Sequence, residues 1–246
     1  MGMEDIVKAE NLSKEFRWKK ALSNLNFDIT EHSITGLIGR NGSGKTTLLK
    51  IIAGILEQTS GEIQAFGEAP MDCLSVLNKL VYSYHNVKYE SSFNLKTILY
   101  AYQTMYNSFD AEFANRLMKF FGLSGKMKYS ALSQGMGSTF NFICTLSCRA
   151  SLTIFDEPIL GMDITVRKSA YEVLLRDFAE YPRTIIISSH LLSEIEGMLS
   201  HILLIEQGKL IMHETIEDMC HRAYRVDGDY KDISNFIMAS KLLLKK

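Results

Sequence analysis

The apolar positions of the chain predict an alternation of strands and helices. Near the N-terminus, residues 6–12 and 22–29 alternate apolar and polar positions, which predicts two strands of one sheet. Short segments rich in Ile, Leu and Phe predict buried strands at residues 33–38, 152–155 and 184–188, the last two of them parallel. Further strands are predicted at residues 61–67 and 80–83, and a hairpin at residues 202–206 and 209–212.

Helical spacing of apolar residues predicts helices at residues 46–56 and 166–178. Between about residues 87 and 150 the strand signals vanish, and a helical insertion is expected. Its predicted helices cover residues 95–106, 111–121 and 134–148. Alternating strands and helices imply an open α/β fold with a mostly parallel central sheet, to which the N-terminal strands add an antiparallel β subdomain.

A glycine-rich segment lies between the first buried strand and the helix that begins at Thr46. Its spacing fits the phosphate-binding pattern G-x-x-x-x-G-K-[ST], which predicts a P-loop NTPase that binds a nucleoside triphosphate with Mg²⁺. Glycines let successive backbone N–H groups point at phosphate oxygens, and the helix adds its positive end. We expect Lys45 to reach the β- and γ-phosphates, Thr46 to ligate Mg²⁺ and Thr47 to donate to the α-phosphate. The predicted nucleotide contacts are Gly39, Asn41, Gly42, Ser43, Gly44, Lys45, Thr46 and Thr47.

Two acidic residues and a histidine follow the later buried strands. Asp156 and Glu157 come directly after residues 152–155, and an acidic residue in that place holds Mg²⁺ in phosphate-loop enzymes. Glu157 is then placed to polarise an attacking water. His190 follows the strand at residues 184–188 and is expected to face the ligand crevice of such a sheet. There it would bond the γ-phosphate and orient the attacking water; a structural role as a helix neighbour is the alternative.

Composition narrows the classes of partner. The chain has 246 residues, 46% of them hydrophobic and 22% charged, with a formal net charge of −1. A global basic field that would attract nucleic acid is therefore not expected. No apolar run reaches the ~18 residues of a membrane span, and the N-terminus lacks an apolar signal segment, so a cytoplasmic location is expected. Cys144 and Cys148 share a helical face, and core packing is favoured over metal binding.

Together these motifs resemble the nucleotide-binding domain of ATP-binding-cassette (ABC) transporters, over roughly residues 4–212. The family carries a Leu-Ser-Gly-Gly-Gln signature, and residues 132–136 here read Leu-Ser-Gln-Gly-Met. This form, together with residues 155–163 and 189–194, resembles the ATPases of type-2 drug and antibiotic exporters. The resemblance assigns Ser133 and Gly135 to the phosphates of an ATP bound by another cassette. The same residues also fit an ordinary helix N-cap.

The resemblance implies roles for three more residues. Asp163 matches an aspartate at the contact between two cassettes. Phe16 matches the aromatic ring that stacks on adenine, with Trp18 as the second candidate and simple strand packing as the alternative for Phe16. His85 stands where the family has a glutamine that touches Mg²⁺ and water, and a solvent-facing His85 is the other interpretation.

The expected protein is one cassette spanning residues 1–246. Its core covers about residues 4–86 and 151–212, its helical subdomain about 87–150, and its tail 213–246. The resemblance implies an ATPase that pairs with a second cassette and powers a separate transmembrane permease at the inner face of the membrane. The aromatic-rich residues 82–109 either receive a helix of that permease or form core. Alternatives are a weakly hydrolysing regulatory cassette, a non-transport ABC ATPase, and a P-loop kinase or GTPase.

Overall fold

The computed structural model describes residues 5–84 and 87–222. A three-stranded antiparallel sheet contains β1 (Asp5–Phe16), β2 (Lys19–Thr30) and β4 (Ser60–Ala65), with β1 in the centre. This is the predicted N-terminal β subdomain, and both β1 and β2 are longer than the alternating patterns indicated. His85, for which a role was predicted, and the residues after Arg222 lie outside the described part of the chain.

The central sheet has six strands in the order β5-β6-β7-β3-β8-β9. Every neighbouring pair is parallel except β8 and β9, which form the predicted hairpin. The α/β fold class with a mostly parallel sheet is therefore confirmed. The strands are β3 (Ile34–Ile38), β5 (Leu80–Tyr84), β6 (Leu152–Asp156), β7 (Thr184–Ser189), β8 (His201–Glu206) and β9 (Lys209–Thr215).

Helices connect these strands, and three of them form the insertion between β5 and β6. The helices are α1 (Lys45–Ile52), α2 (Leu74–Leu77), α3 (Leu95–Met105), α4 (Ala111–Phe120), α5 (Gln134–Ser147), α6 (Ile164–Glu180) and α7 (Ile216–Arg222). Helices α3 to α6 begin after a polar residue whose side chain accepts a backbone N–H in the first turn. Those N-caps are Asn94, Asp110, Ser133 and Asp163.

Two hydrophobic cores lie on opposite faces of the central sheet. Ile185 and Ile187 of β7 pack in the core that contains the helices of the insertion and α6. Ile186, between them, packs in the core shared with α1 and the antiparallel sheet. Side chains of a strand alternate between its faces, so a strand buried on both faces needs apolar residues at successive positions, as at residues 185–187.

The predicted end of the first helix was wrong. Helix α1 stops at Ile52, although helical spacing continued to Leu56. Gly54 takes a left-handed conformation with φ 67°, and a glycine in that conformation ends a helix. Ile55, which was predicted to lie on the buried face, is consequently 56% exposed. The short helices α2 and α7 were not predicted.

The aromatic residues between β5 and α4 divide between the core and the surface. Tyr89, Tyr102 and Phe109 pack against the core of the insertion. Tyr100 is 70% exposed, and Phe93 is 41% exposed. Part of this segment is therefore core, as the simpler interpretation held, and part remains surface. Cys144 and Cys148 are fully buried, and desolvation raises the pKa of both thiols, which agrees with core packing.

A buried ion-pair cluster joins the insertion to α6. Asp177 of α6 accepts from Arg149 at 3.0 Å and from Arg183 at 2.6 Å. Arg149 also pairs with Asp110, the N-cap of α4, at 2.9 Å. Its guanidinium lies 3.5 Å from the ring centre of Tyr181. Two carboxylates thus balance two arginines where the end of α5 meets α4 and α6.

Candidate functional site

The glycine-rich loop lies directly after β3, at the carboxyl edge of the central sheet. Gly42 and Gly44 have φ values of 79° and 113°, which residues with a side chain rarely adopt. A Cβ atom on Gly44 would lie 2.7 Å from the Leu22 side chain, so the loop also packs too closely there for a larger residue. Helix α1 begins at Lys45, and its first N–H groups therefore face the space that the loop surrounds.

Lys45 is buried, with only 6% of its side chain exposed. Its Nζ donates to the Gly39 carbonyl at 2.7 Å and lies 3.3 Å from Glu157 Oε1. A buried ammonium group needs nearby oxygen atoms, and the loop and the end of β6 supply them. The geometry therefore concentrates positive charge between the loop and the acidic pair.

Glu157 connects the glycine-rich loop to His190. Its Oε2 lies 3.0 Å from His190 Nδ1 and its Oε1 faces Lys45. Glu157 has a φ of 52°, a left-handed conformation uncommon for a residue with a side chain. Strained backbone of this kind is concentrated at functional sites. The side chain is 14% exposed, and it reaches the cleft between the loop and His190.

Asp156 is held from both neighbouring strands. Its Oδ1 accepts the hydroxyl of Ser188 on β7 at 2.7 Å, and its Oδ2 accepts the hydroxyl of Tyr82 on β5 at 3.2 Å. Ser188 Oγ also accepts the backbone N–H of Glu157 at 2.9 Å. Burial, followed by the charge of Asp156, raises the pKa of the Tyr82 phenol, so this hydroxyl remains a donor. Sequence analysis missed both hydroxyl groups.

A cleft of about 690 Å³ brings most of the predicted residues together. Phe16 lines it together with the start of β2 at Lys19, and Glu157 and His190 also line it. Trp18 is 98% exposed and does not line the cleft. Gly39 and Ser43 are buried outside its lining. The predicted residues that line it are Phe16, Asn41, Gly42, Gly44, Lys45, Thr46, Thr47, Glu157 and His190.

The residues of the cleft fit a nucleoside triphosphate with its Mg²⁺. Within the described residues, the buried atoms Glu157 Oε1 and Ser43 Oγ have no hydrogen-bond partner, although Lys45 lies near the former. The Thr46 hydroxyl lines the cleft, and it and the Asp156 carboxylate supply oxygen donors of the kind that Mg²⁺ prefers. Asp156 is 1% exposed and stands behind the lining rather than in it.

Ser133, Gly135 and Asp163 lie around a separate depression of about 200 Å³. Ser133 accepts the N–H of Met136 and caps α5, while Asp163 caps α6. A Cβ atom on Gly135 would lie 2.5 Å from the Gly161 carbonyl oxygen, so the start of α5 fits closely against the turn before α6. None of these three residues lines the cleft that contains Lys45. Within one chain, the predicted residues of the signature therefore lie apart from those of the glycine-rich loop.

Sequence comparison identifies the family. The profile described as "ABC transporter" matches residues 22–160. The ABC transporter ATP-binding protein YtrB of Bacillus subtilis is 29% identical over 83% of this chain and 70% of its own length. MJ1023 of Methanocaldococcus jannaschii, an uncharacterised ABC transporter ATP-binding protein, is 30% identical over 89% of this chain and 81% of its own length. The bacitracin transport ATP-binding protein BcrA of Bacillus licheniformis is 29% identical over 85% of this chain and 69% of its own length.

Solved structures share the fold. An ATP-binding subunit of an ABC transporter superposes with a TM-score of 0.76 at 24% identity, covering 88% of this chain and 92% of the other. The cassette MJ0796, solved as a dimer bound to ADP and Pi, superposes with a TM-score of 0.73 at 19% identity, covering 85% and 98%. Across residues 5–84 and 87–222, no helix has the length and apolar character to cross a membrane. The chain belongs to the ABC transporter family, as one of its ATP-binding ATPase subunits.

Proposed function

We propose that this chain hydrolyses ATP in a pair of cassettes and thereby powers a separate transmembrane exporter. The observation that carries the proposal is the separation of two groups of residues on one chain. Lys45, Glu157 and His190 meet in one cleft, whereas Ser133 and Gly135 surround another depression. A site that needs both groups is completed only when a second cassette supplies the missing one. Either a second copy or a different chain satisfies this requirement.

Within one cassette, the loop N–H groups and Lys45 bind the phosphates, and Phe16 stacks on the base. Glu157 takes the proton of the attacking water, and His190 holds the Glu157 carboxylate in place through the 3.0 Å contact. Thr46 and Asp156 would hold Mg²⁺, which neutralises charge on the phosphate oxygens when bound. Ser133 and Gly135 close on the γ-phosphate of the partner cassette, with Asp163 at the contact.

The division of the chain supports coupling to a membrane subunit. We assign the core to about residues 4–86 and 151–212, and the helical subdomain to about 87–150. ATP binds the closed pair better than the open pair, so binding and hydrolysis move the two cassettes together and apart. Tyr100 and Phe93 leave apolar surface on the helical subdomain, where we place the permease contact. The chain then acts at the cytoplasmic face of the membrane.

The form of the signature favours an exporter. BcrA is named for bacitracin transport, and the signature here has the form that resembles type-2 exporters. A zinc uptake ATP-binding protein, ZurA of Listeria monocytogenes, is similarly close at 28% identity, so relatedness alone leaves import as the competing direction. Co-expression with candidate permeases, followed by measurement of ATP-dependent substrate movement in oriented vesicles, tests the direction. Inward movement would contradict the exporter assignment.

A regulatory cassette that hydrolyses slowly is the second candidate. The altered signature at residues 132–136 favours it. The test is the ATPase rate of purified chain with and without the permease that co-purifies with it. Stimulation by the permease supports the transport function. ATP binding without stimulated hydrolysis supports the regulatory alternative.

A further inference from the structure

Two hydroxyl groups, one buried and one half-buried, hold the acidic pair at the end of β6. Ser188 donates to Asp156 and accepts the N–H of Glu157, at 2.7 Å and 2.9 Å. Tyr82 donates to the other oxygen of Asp156 at 3.2 Å. Neither hydroxyl lines the nucleotide cleft. Both act on residues that the proposed reaction uses, and they reach them from opposite sides of β6.

Ser188 connects the two acidic residues through a single oxygen atom. A serine hydroxyl has one proton and two lone pairs, and here the proton goes to the Asp156 carboxylate while a lone pair receives the Glu157 N–H. Ser188 is 1% exposed, so water does not compete for these bonds. The orientation of the Asp156 carboxylate is therefore tied to the backbone position of Glu157.

The backbone of Glu157 needs such a restraint. Its φ of 52° is unfavourable for a residue with a side chain, and a less strained conformation would turn the carboxylate away from its present neighbours. The Ser188 bond holds the N–H in the orientation that belongs to this conformation. In that conformation the carboxylate reaches both Lys45 and His190.

We infer that Ser188 is a positioning residue of the hydrolytic site, setting Asp156 for the metal-bound nucleotide and Glu157 for water activation, while Tyr82 supports Asp156 alone. This inference rests on the proposed ATPase function. It differs from a purely structural role, in which the hydroxyl would only satisfy buried polar groups between strands. A structural role predicts loss of stability without selective loss of turnover.

The test compares Ser188→Ala with a matched change, Ser33→Ala. Ser33 is also buried, at 4% exposure, and its hydroxyl donates to the Thr30 carbonyl at the opposite end of β3 from the glycine-rich loop. Steady-state ATPase measurements give kcat and KM. Binding of a fluorescent ATP analogue, titrated with Mg²⁺ in a Glu157→Gln background, gives the metal requirement without turnover.

Ser188→Ala is expected to lower kcat about 10–100-fold with little change in KM, and to raise the Mg²⁺ requirement for nucleotide binding. Ser188→Thr, which keeps the hydroxyl, should restore much of kcat. Tyr82→Phe should raise the Mg²⁺ requirement but retain kcat at saturating Mg²⁺. Ser33→Ala should lower the melting temperature and change neither kcat nor the Mg²⁺ requirement.

If Ser188→Ala does not fold, Ser188→Cys, a weaker donor of similar size, is expected to lower kcat.

Equal kcat and equal Mg²⁺ requirement in wild type and the folded Ser188 variant would overturn the inference. A wild-type protein that binds Mg·ATP without hydrolysis would remove the proposed ATPase function, and the Mg²⁺ titration would then decide the Asp156 part of the inference. A wild-type protein that binds no nucleotide would remove both. These outcomes separate failure of the positioning role from failure of the function.

Discussion

His190 Nδ1 lies 3.0 Å from Glu157 Oε2, and the two residues follow adjacent parallel strands of the central sheet. Because parallel strands end at the same edge, residues 33 positions apart in the chain meet there. Lys45 approaches the other oxygen of the same carboxylate at 3.3 Å. One carboxylate thus stands between a histidine and the lysine of the glycine-rich loop, where water activation is proposed to occur.

Replacing Glu157 with glutamine should separate binding from hydrolysis. The amide has nearly the same shape but accepts no proton, so phosphate release should fall at least about 100-fold while fluorescent ATP still binds. Phosphate release and nucleotide binding are measured on the same preparation. Hydrolysis at the wild-type rate would remove Glu157 from the role of general base.

Replacing Lys45 with alanine should weaken ATP binding. The change removes a buried charge that faces the loop, and charge-assisted hydrogen bonds contribute about 1.5–3 kcal/mol, which corresponds to at least a tenfold loss of affinity. Lys50→Ala, on the last turn of α1 and outside the cleft lining, is the control. Equal ATP affinity for the Lys45 variant and wild type would refute the assignment of the loop.

Replacing Gly135 with alanine should impair pairing of cassettes while leaving the nucleotide cleft intact. The new Cβ would lie 2.5 Å from the Gly161 carbonyl oxygen, so the start of α5 or the turn before α6 must move. We expect reduced turnover and a lower melting temperature with unchanged ATP affinity. Gly197→Ala is the control, because a Cβ there meets no atom within 4 Å. Unchanged turnover and unchanged melting temperature of Gly135→Ala would contradict the contact.

Replacing Asp177 with alanine should destabilise the fold strongly. The carboxylate forms ion pairs with Arg149 and Arg183, and removal of one partner from a buried ion pair costs about 3–5 kcal/mol. Urea unfolding measures the difference from wild type. Glu172→Ala, an exposed change on the same helix, should lie within about 0.5 kcal/mol of wild type. A similar small loss for Asp177→Ala would show that the cluster contributes little.

His201 should make stability depend on pH. Burial, then the nearby charge of His213, lowers its pKa below the ordinary value of 6.5. As pH falls below 6.5, the unfolded chain binds a proton that the folded chain resists, so this residue reduces the free energy of unfolding in that range. His201→Gln should lose less stability than wild type between neutral and acidic pH. An identical pH dependence would contradict the lowered pKa.

The sequence predicted the elements that have strong local patterns. Residues 152–155 and 184–188 are short, mostly apolar segments buried on both faces, and the glycine-rich loop has a fixed spacing of residue types. The end of α1 was missed because helical spacing continued past the glycine that ends the helix. A local backbone conformation at Gly54 decided that boundary, and apolar periodicity does not report it.

The supporting hydroxyl groups could not be predicted from the sequence. Ser188 lies 32 residues after Asp156, and Tyr82 lies 74 residues before it. Their contacts depend on which strands become neighbours in the sheet, and the strand order is not the chain order. The serine two positions before His190, after three apolar residues of the same strand, was the one available signal. The predicted role of His85 is untested, since it falls outside the described residues.

Equilibrium binding of ATP to the purified chain in the presence of Mg²⁺ tests the central claim most directly. One nucleotide per chain should bind, with the affinity lost in Lys45→Ala and kept in Glu157→Gln. No measurable binding to the folded wild-type protein would contradict the account.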